Sequence, residues 1–228
     1  MSDSSRTVEQ LKTLLRSWEG LDAQQMVKFY DGWAETYEQD LGIINYRAPN
    51  LVVDFLMEHH PAGPEDALVL DVACGSGLGA KLMFEQGFRH FVGVDGSEVM
   101  LQKAAESGLY QDLRLALLGT EPLPAQTGVF DVVVIIGALR EDHVPVSIIR
   151  ELLAAAKPGG HICMSRVDTK TEGAKKYIEC LEKELQQLEA EGRWTHVDTR
   201  DMDKYMMDFY SEQYLSGTMY LYRKLQDA

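Results

Sequence analysis

Leu70-Asp71-Val72-Ala73-Cys74-Gly75-Ser76-Gly77-Leu78-Gly79 decides the fold. It begins inside a short apolar run, Ala67-Leu68-Val69-Leu70-Asp71-Val72, the pattern of a strand buried on both faces. It then turns through glycines and enters a helix expected over 78–86, with Gly87 as its C-cap. Glycine suits a turn where backbone approaches a ligand closely and takes positive φ. The helix that follows presents unpaired N–H groups and a partial positive charge to an electron-rich ligand group. Twenty residues after Gly75, a second apolar run, Phe91-Val92-Gly93-Val94-Asp95, ends in a carboxylate. An acid at the end of that strand accepts hydrogen bonds from the two hydroxyls of a ribose.

Outward from this unit the same alternation continues. Ser97 is the expected N-cap of a helix carrying Val99, Met100, Leu101, Ala104 and Ala105, which Gly108 ends. Strands follow at 113–118, at 130–136 (the most hydrophobic, so central) and at 161–165. A helix over 146–156 and a Pro158-Gly159-Gly160 turn precede the last of these. Strands alternating with helices imply right-handed crossovers and a parallel sheet, whose ligands bind where the strand order reverses. The tail departs from this rhythm. A charged helix over 172–191, with Tyr177, Leu181, Leu185 and Leu188 as its apolar stripe, leads to late strands at 194–200 and 217–224. Joined by a short helical segment, those two read as an antiparallel edge.

The first 60 residues read as helices over 7–18, 22–40 and 49–59, and Pro61-Ala62-Gly63-Pro64 then breaks the pattern. The expected division is a helical lid over 1–62 and an α/β domain over 63–228.

The chain has 228 residues and a net charge of −14. A surface this acidic repels phosphate backbones, which disfavours a nucleic-acid substrate; the basic pair Lys175-Lys176 is flanked by Glu172 and Glu179. No stretch is long and apolar enough for a bilayer, and Met1 to Arg6 lack the order of a signal peptide. Cys74, Cys163 and Cys180 read as reduced thiols, hence a cytoplasmic or nuclear protein. The histidines at 59, 60, 90, 143, 161 and 196 form no metal-ligand spacing, so no metal is expected. A monomer is expected.

Gly75-Ser76-Gly77-Leu78-Gly79-Ala80 satisfies a loose dinucleotide pattern. Asp71, under the turn, would repel a pyrophosphate but would hold an ammonium. That favours a nucleoside joined to an amino-acid end; the other reading is that Asp71 only hydrogen-bonds the loop.

Asp71-x-Ala73-x-Gly75-x-Gly77 resembles the first motif of the class I S-adenosylmethionine-dependent methyltransferases, and Val92-Gly93-Val94-Asp95-Gly96-Ser97 their acidic second motif. Phe130-Asp131-Val132-Val133-Val134 and Lys157-Pro158-Gly159-Gly160 resemble their later strand and turn. The resemblance implies a Rossmann-like α/β fold: a seven-stranded, mostly parallel sheet with a reversed C-terminal strand, flanked by helices. It implies S-adenosylmethionine as cofactor, with S-adenosylhomocysteine as product. It places Gly75 and Gly77 along the methionine portion and Asp95 on the ribose, with Asp71, Ala73 and Ser76 as further cofactor-binding residues of the turn. Gly96 and Met100 fall near the adenine, and Ile136 completes the lining. Many relatives carry an adenine-binding acid where Gly119 stands here, so Thr120 is expected to hold the adenine instead.

Methyl transfer needs alignment and exclusion of water more than it needs a base, so a catalytic side chain is not obligatory. In the family, the loop Gly137-Ala138-Leu139-Arg140-Glu141-Asp142-His143-Val144-Pro145 faces the methyl group. His143 is the candidate base, oriented by Glu141 or Asp142; a solvated loop with His143 packed at a helix end is the other reading. The aromatic-rich segment Phe29-Tyr30-Asp31-Gly32-Trp33-Ala34-Glu35-Thr36-Tyr37 resembles the lid helix of small-molecule methyltransferases. Tyr37 then approaches the methionine end, and Tyr46 and Arg47 reach its carboxylate; a plain core stripe is the alternative. The acceptor expected is a small molecule before a protein, with nucleic acid last. A non-catalytic cofactor binder is the competing class.

Overall fold

The computed structural model describes residues 6–18, 20–59, 63–208, 211 and 213–226. Met1 to Ser5, His60, Pro61 and Ala62 lie outside the described residues. Eight helices are present among them: α1 (Val8–Arg16), α2 (Ala23–Trp33), α3 (Tyr37–Ile43), α4 (Ala48–His59), α5 (Leu78–Glu85), α6 (Glu98–Glu106), α7 (Ile148–Ala155) and α8 (Glu172–Ala190). The strands are β1 (Leu68–Val72), β2 (His90–Asp95), β3 (Tyr110–Leu115), β4 (Phe130–Ile135), β5 (Ala156–Val167), β6 (Trp194–Met207) and β7 (Tyr214–Lys224).

They form one seven-stranded sheet in the order β3-β2-β1-β4-β5-β7-β6. β1 to β5 pair in parallel, and β7 runs antiparallel to both β5 and β6. The chain leaves β1 toward β2 on one side and returns to β4 on the other, so a crevice opens at the C-terminal ends of β1 and β4. Side chains alternate along each strand, which explains the unbroken apolar run of β4. Val133 and Ile135 face a core shared with Ile148 and Leu152 of α7 and Leu181 and Leu185 of α8. Val132 and Val134 face the opposite core, with Val52 and Phe55 of α4 and Ala80 and Met83 of α5.

Several boundaries differ from the sequence reading. The helix expected over 22–40 is two, α2 and α3. β3 begins at Tyr110, earlier than expected, and the Pro158-Gly159-Gly160 turn falls inside β5. There the pairing with β4 jumps from Phe130↔Ala156 to Val132↔His161. The chain loops out and back, and a Cβ on Gly160 would lie 2.8 Å from the Phe130 carbonyl oxygen. The helical segment expected between the late strands is replaced by a continuation of β6 to Met207. Register shifts at His196/Asp198 and Met202/Met206 break its two-residue period and hide it from pattern reading. The expected boundary at 62/63 separates α4 from the sheet, whereas α4 shares the sheet's core.

α1 to α3 have a small core of their own: Leu11, Leu15, Trp33, Leu41 and Ile44. At its centre the fully buried Asp40 accepts from the Trp33 indole (2.7 Å) and the Thr36 hydroxyl (2.8 Å) and pairs with Arg6. The layer is tied to the main domain by Ser97 Oγ donating to Asp31 (2.6 Å) and by the pairs Lys103–Glu35 and Lys81–Glu38. Truncating Asp40 orphans the buried indole donor and strips Arg6 of its carboxylate partner. Asp40→Ala is expected to destabilise this layer by about 2–3 kcal/mol. Hydrogen exchange would show faster amides over residues 8–43 with β1 and β4 still protected; unchanged exchange there would refute this role for Asp40.

Candidate functional site

The turn after β1 uses the left-handed region three times: Ala73 (φ +56°), Gly75 (+55°) and Gly77 (+84°). Gly77 caps α5 where a Cβ would meet the Tyr110 ring at 3.1 Å, and at Gly79 a Cβ would meet Ile136 Cδ1 at 3.0 Å. The glycines therefore bring backbone against neighbouring side chains. Gly75 N–H donates to Asp95 Oδ2 (2.8 Å), and Ser97 N–H donates to Asp95 Oδ1 (2.9 Å). Each oxygen keeps lone-pair capacity for a ligand hydroxyl. Burial holds the Asp95 carboxyl above its ordinary value, against the pull of N–H groups from Ser97, Gly75 and Gly96.

A cavity of about 160 Å³ lies between this turn and the α1–α3 layer. Ala73, Gly75, Asp95, Gly96, Met100 and Ile136 line its floor, Met26, Tyr30, Trp33 and Tyr37 come from the covering helices, and Trp18 from the turn after α1. A smaller recess of about 40 Å³ adjoins it, sharing Tyr37, Tyr46, Ala73, Gly75 and Ile136 and adding Asp71 and Ser76.

A family model described as a methyltransferase domain matches residues 65–211. The human methyltransferase-like protein 27 is 44% identical over 200 residues, covering 87% of this chain and 80% of that one. The chain belongs to the class I S-adenosylmethionine-dependent methyltransferases. Its cofactor is S-adenosylmethionine. Solved structures agree in fold. A chain of the complex between the Haloferax volcanii Trm112 methyltransferase activator and a methyltransferase matches with a TM-score of 0.63 at 15% identity, over 87% of this chain and 97% of that one. The Haemonchus contortus phosphoethanolamine N-methyltransferase 2, solved with S-adenosylhomocysteine, matches with a TM-score of 0.56 at 15% identity, over 78% of this chain and 53% of that one.

The residues of this methyltransferase fit that cofactor. The adjoining recess holds a buried Ser76 hydroxyl that lacks a partner among the described residues, beside the Asp71 carboxyl, which suits an amino-acid end. Tyr110 donates to Asp71 Oδ2 (2.7 Å). Burial nevertheless pushes Asp71 up to about 7, the Tyr110 bond pulling down and the Asp95 charge pushing further up.

Of the residues singled out from sequence, Tyr37, Tyr46, Ala73, Gly75, Asp95, Gly96, Met100, Ile136 and His143 line the cavity, and Asp71 and Ser76 line the recess. Gly77 shapes the turn from behind. Arg47 lines neither space; its backbone N–H donates to the Tyr205 carbonyl (2.9 Å). Gly119 and Thr120 are exposed and also stand outside, with the Thr120 hydroxyl donating back to Leu117 O (2.8 Å). Pro145 covers Gly119 so closely that a Cβ there would lie 2.0 Å from its ring. Leu117 and Leu118 form the wall expected of Thr120.

His143 Nε2 lies 3.1 Å from the Tyr30 hydroxyl, with its ring edge-on to Trp18. Burial, and next the Arg140 charge, push His143 down to about 3, so the imidazole is neutral near pH 7. Neither acid expected to orient it does so. Glu141 Oε1 accepts from the Thr171 hydroxyl (2.7 Å), and Asp142 is an exposed left-handed turn residue (φ +67°).

Sequence reasoning missed Trp18, Tyr205 and Met206, which complete the cavity, and the Tyr110–Asp71 bond. Met206 and Tyr205 lie past a register shift in β6, so no periodic signal marks them.

The raised Asp71 makes a signed prediction. The native state binds a proton more tightly than the unfolded chain, so stability falls as pH rises from about 4, the ordinary carboxyl value, to about 7. The stability of ligand-free protein, followed by its thermal midpoint, should decline between pH 5 and 7 by on the order of 1 kcal/mol per pH unit and level off above that. Asp71→Asn, which still accepts from Tyr110, should flatten the decline; an equal decline in the variant would assign it to other groups.

Proposed function

We propose that the enzyme transfers a methyl group to a small-molecule acceptor enclosed beneath α1–α3. The observation that carries this reading is the placement of the cavity, walled on one side by the strand ends and roofed by Trp18, Tyr30, Trp33 and Tyr37. The net charge of −14 opposes a nucleic-acid acceptor. A monomer in the cytoplasm, or the nucleus, accords with its reduced thiols; burial pushes those of Cys74 and Cys163 up, which keeps them unreactive.

In this reading the Asp95 carboxylate accepts the ribose hydroxyls, Gly96, Met100 and Leu117 wall the adenine, and Asp71 with Ser76 takes the amino-acid end. S-adenosylmethionine supplies an already activated methyl group. The chain's own contribution is alignment and a dry cavity under the aromatic roof. His143, neutral and weakly basic, serves to orient Tyr30 and the acceptor and to leave no competing water beside them.

Calorimetric titration with S-adenosylhomocysteine tests the donor site. Wild-type protein should bind, and Asp95→Ala should weaken binding by about 10-fold or more, the loss of two charge-assisted hydrogen bonds. Failure of the wild type to bind overturns the reading. The same ligand should slow amide exchange over residues 8–43, since the α1–α3 roof completes the cavity; equal protection with and without it would remove the lid role.

A further inference from the structure

We infer that the acceptor is a hydrophobic acid: an aromatic or apolar body held under the roof, carrying one oxyanion that Arg140 binds. This rests on the proposed small-molecule site and names its substrate class.

Arg140 follows β4 and lines the cavity, its guanidinium 4.7 Å over the Trp18 ring. Among the described residues it has no carboxylate partner and no side-chain hydrogen bond. The neighbouring acids are turned elsewhere: Glu141 toward Thr171, Asp142 into solvent. Asp95 is engaged by Gly75 and Ser97 at the end of β2, and β1 lies between β2 and β4. Several basic side chains elsewhere on the molecule do have acid partners, as in Lys81–Glu38, Lys103–Glu35, Arg166–Asp168 and Arg200–Glu58. With 36 acids to 22 bases, carboxylates are in surplus, so an uncommitted arginine facing a cavity is a specific arrangement. Arginine cannot discharge, and a half-buried charge is costly until paired. Stacking on Trp18 fixes the guanidinium plane and leaves its N–H fork for a bidentate oxyanion. Tyr30, His143 and Tyr205 all feel the Arg140 charge, which draws each toward lower proton affinity. The arginine thus sits within an aromatic collar that suits the apolar part of the same molecule. Carboxylate and phosphate share this chemistry.

The test uses full-length protein saturated with S-adenosylhomocysteine, titrated with 1-naphthoate, 1-naphthyl phosphate and the neutral 1-naphthamide, in wild type, Arg140→Met and Arg140→Lys. Wild type should bind at least one anion about tenfold or more tighter than the amide, and whichever anion binds tighter identifies the oxyanion. Arg140→Met should erase that preference and change amide binding less than about twofold, with Arg140→Lys between. Equal binding of amide and anions, anion binding that survives Arg140→Met, or no binding of any probe overturns the inference. Arg140→Lys keeps the charge, so a result in methionine that came from misfolding would not be graded through it. If S-adenosylhomocysteine does not bind wild type, the donor-site reading falls by itself, and the anion comparison is read on ligand-free protein by the same criteria.

Discussion

The bond from Gly75 N–H to the Asp95 carboxylate joins the turn after β1 to the end of β2, and the rest of the site is arranged around it. The turn can reach the acid because Ala73, Gly75 and Gly77 all take left-handed backbone. The acid in turn holds Ser97, which caps α6 through Met100 N–H and reaches up to Asp31 of α2. One short chain of hydrogen bonds thus runs from the nucleotide-type turn to the roof. A ligand hydroxyl placed on Asp95 therefore meets a carboxylate whose position is already set, so little ordering remains to be done on binding.

The roof is a separate problem in stability. α1 to α3 bury only a small cluster of their own, and Asp40 at its centre is a charge kept dry by Trp33, Thr36 and Arg6. Ion pairs to Lys81 and Lys103 on the main domain are largely exposed and contribute little each. A layer held this way lies at the low-stability end of the molecule, where parts that open for ligands are drawn from. The same layer supplies most of the aromatic surface of the cavity, so cofactor retention, acceptor shape and local stability meet in one element.

Charge is distributed unevenly between the two halves of the site. Asp71 and Asp95 stand at the glycine turn, each raised by burial. Arg140 stands beyond β4 with a neutral His143 beside it. The arrangement separates a region suited to cationic and hydroxyl groups from one suited to an anion, within a single apolar space.

How far the sequence carried the reading follows from the range of each interaction. The β1 run, the glycine turn, Asp95 at the end of β2 and the alternation of strands and helices are local patterns, and local backbone physics was enough to read the fold class and the turn–acid pair from them. The tertiary structure decided what depends on distant segments meeting. Tyr110 reaches Asp71 because β3 begins earlier than its apolar residues suggest. Tyr205 and Met206 enter the cavity because β6 runs on through two register shifts that erase its periodicity. Leu117 and Leu118 replace Thr120 at the wall because Pro145 packs over Gly119 and that loop faces outward. Composition counted the acidic excess, but that Arg140 has no carboxylate partner among the described residues is a fact of three-dimensional placement: charge balance is a property of neighbours in space, which a linear order of residues does not contain.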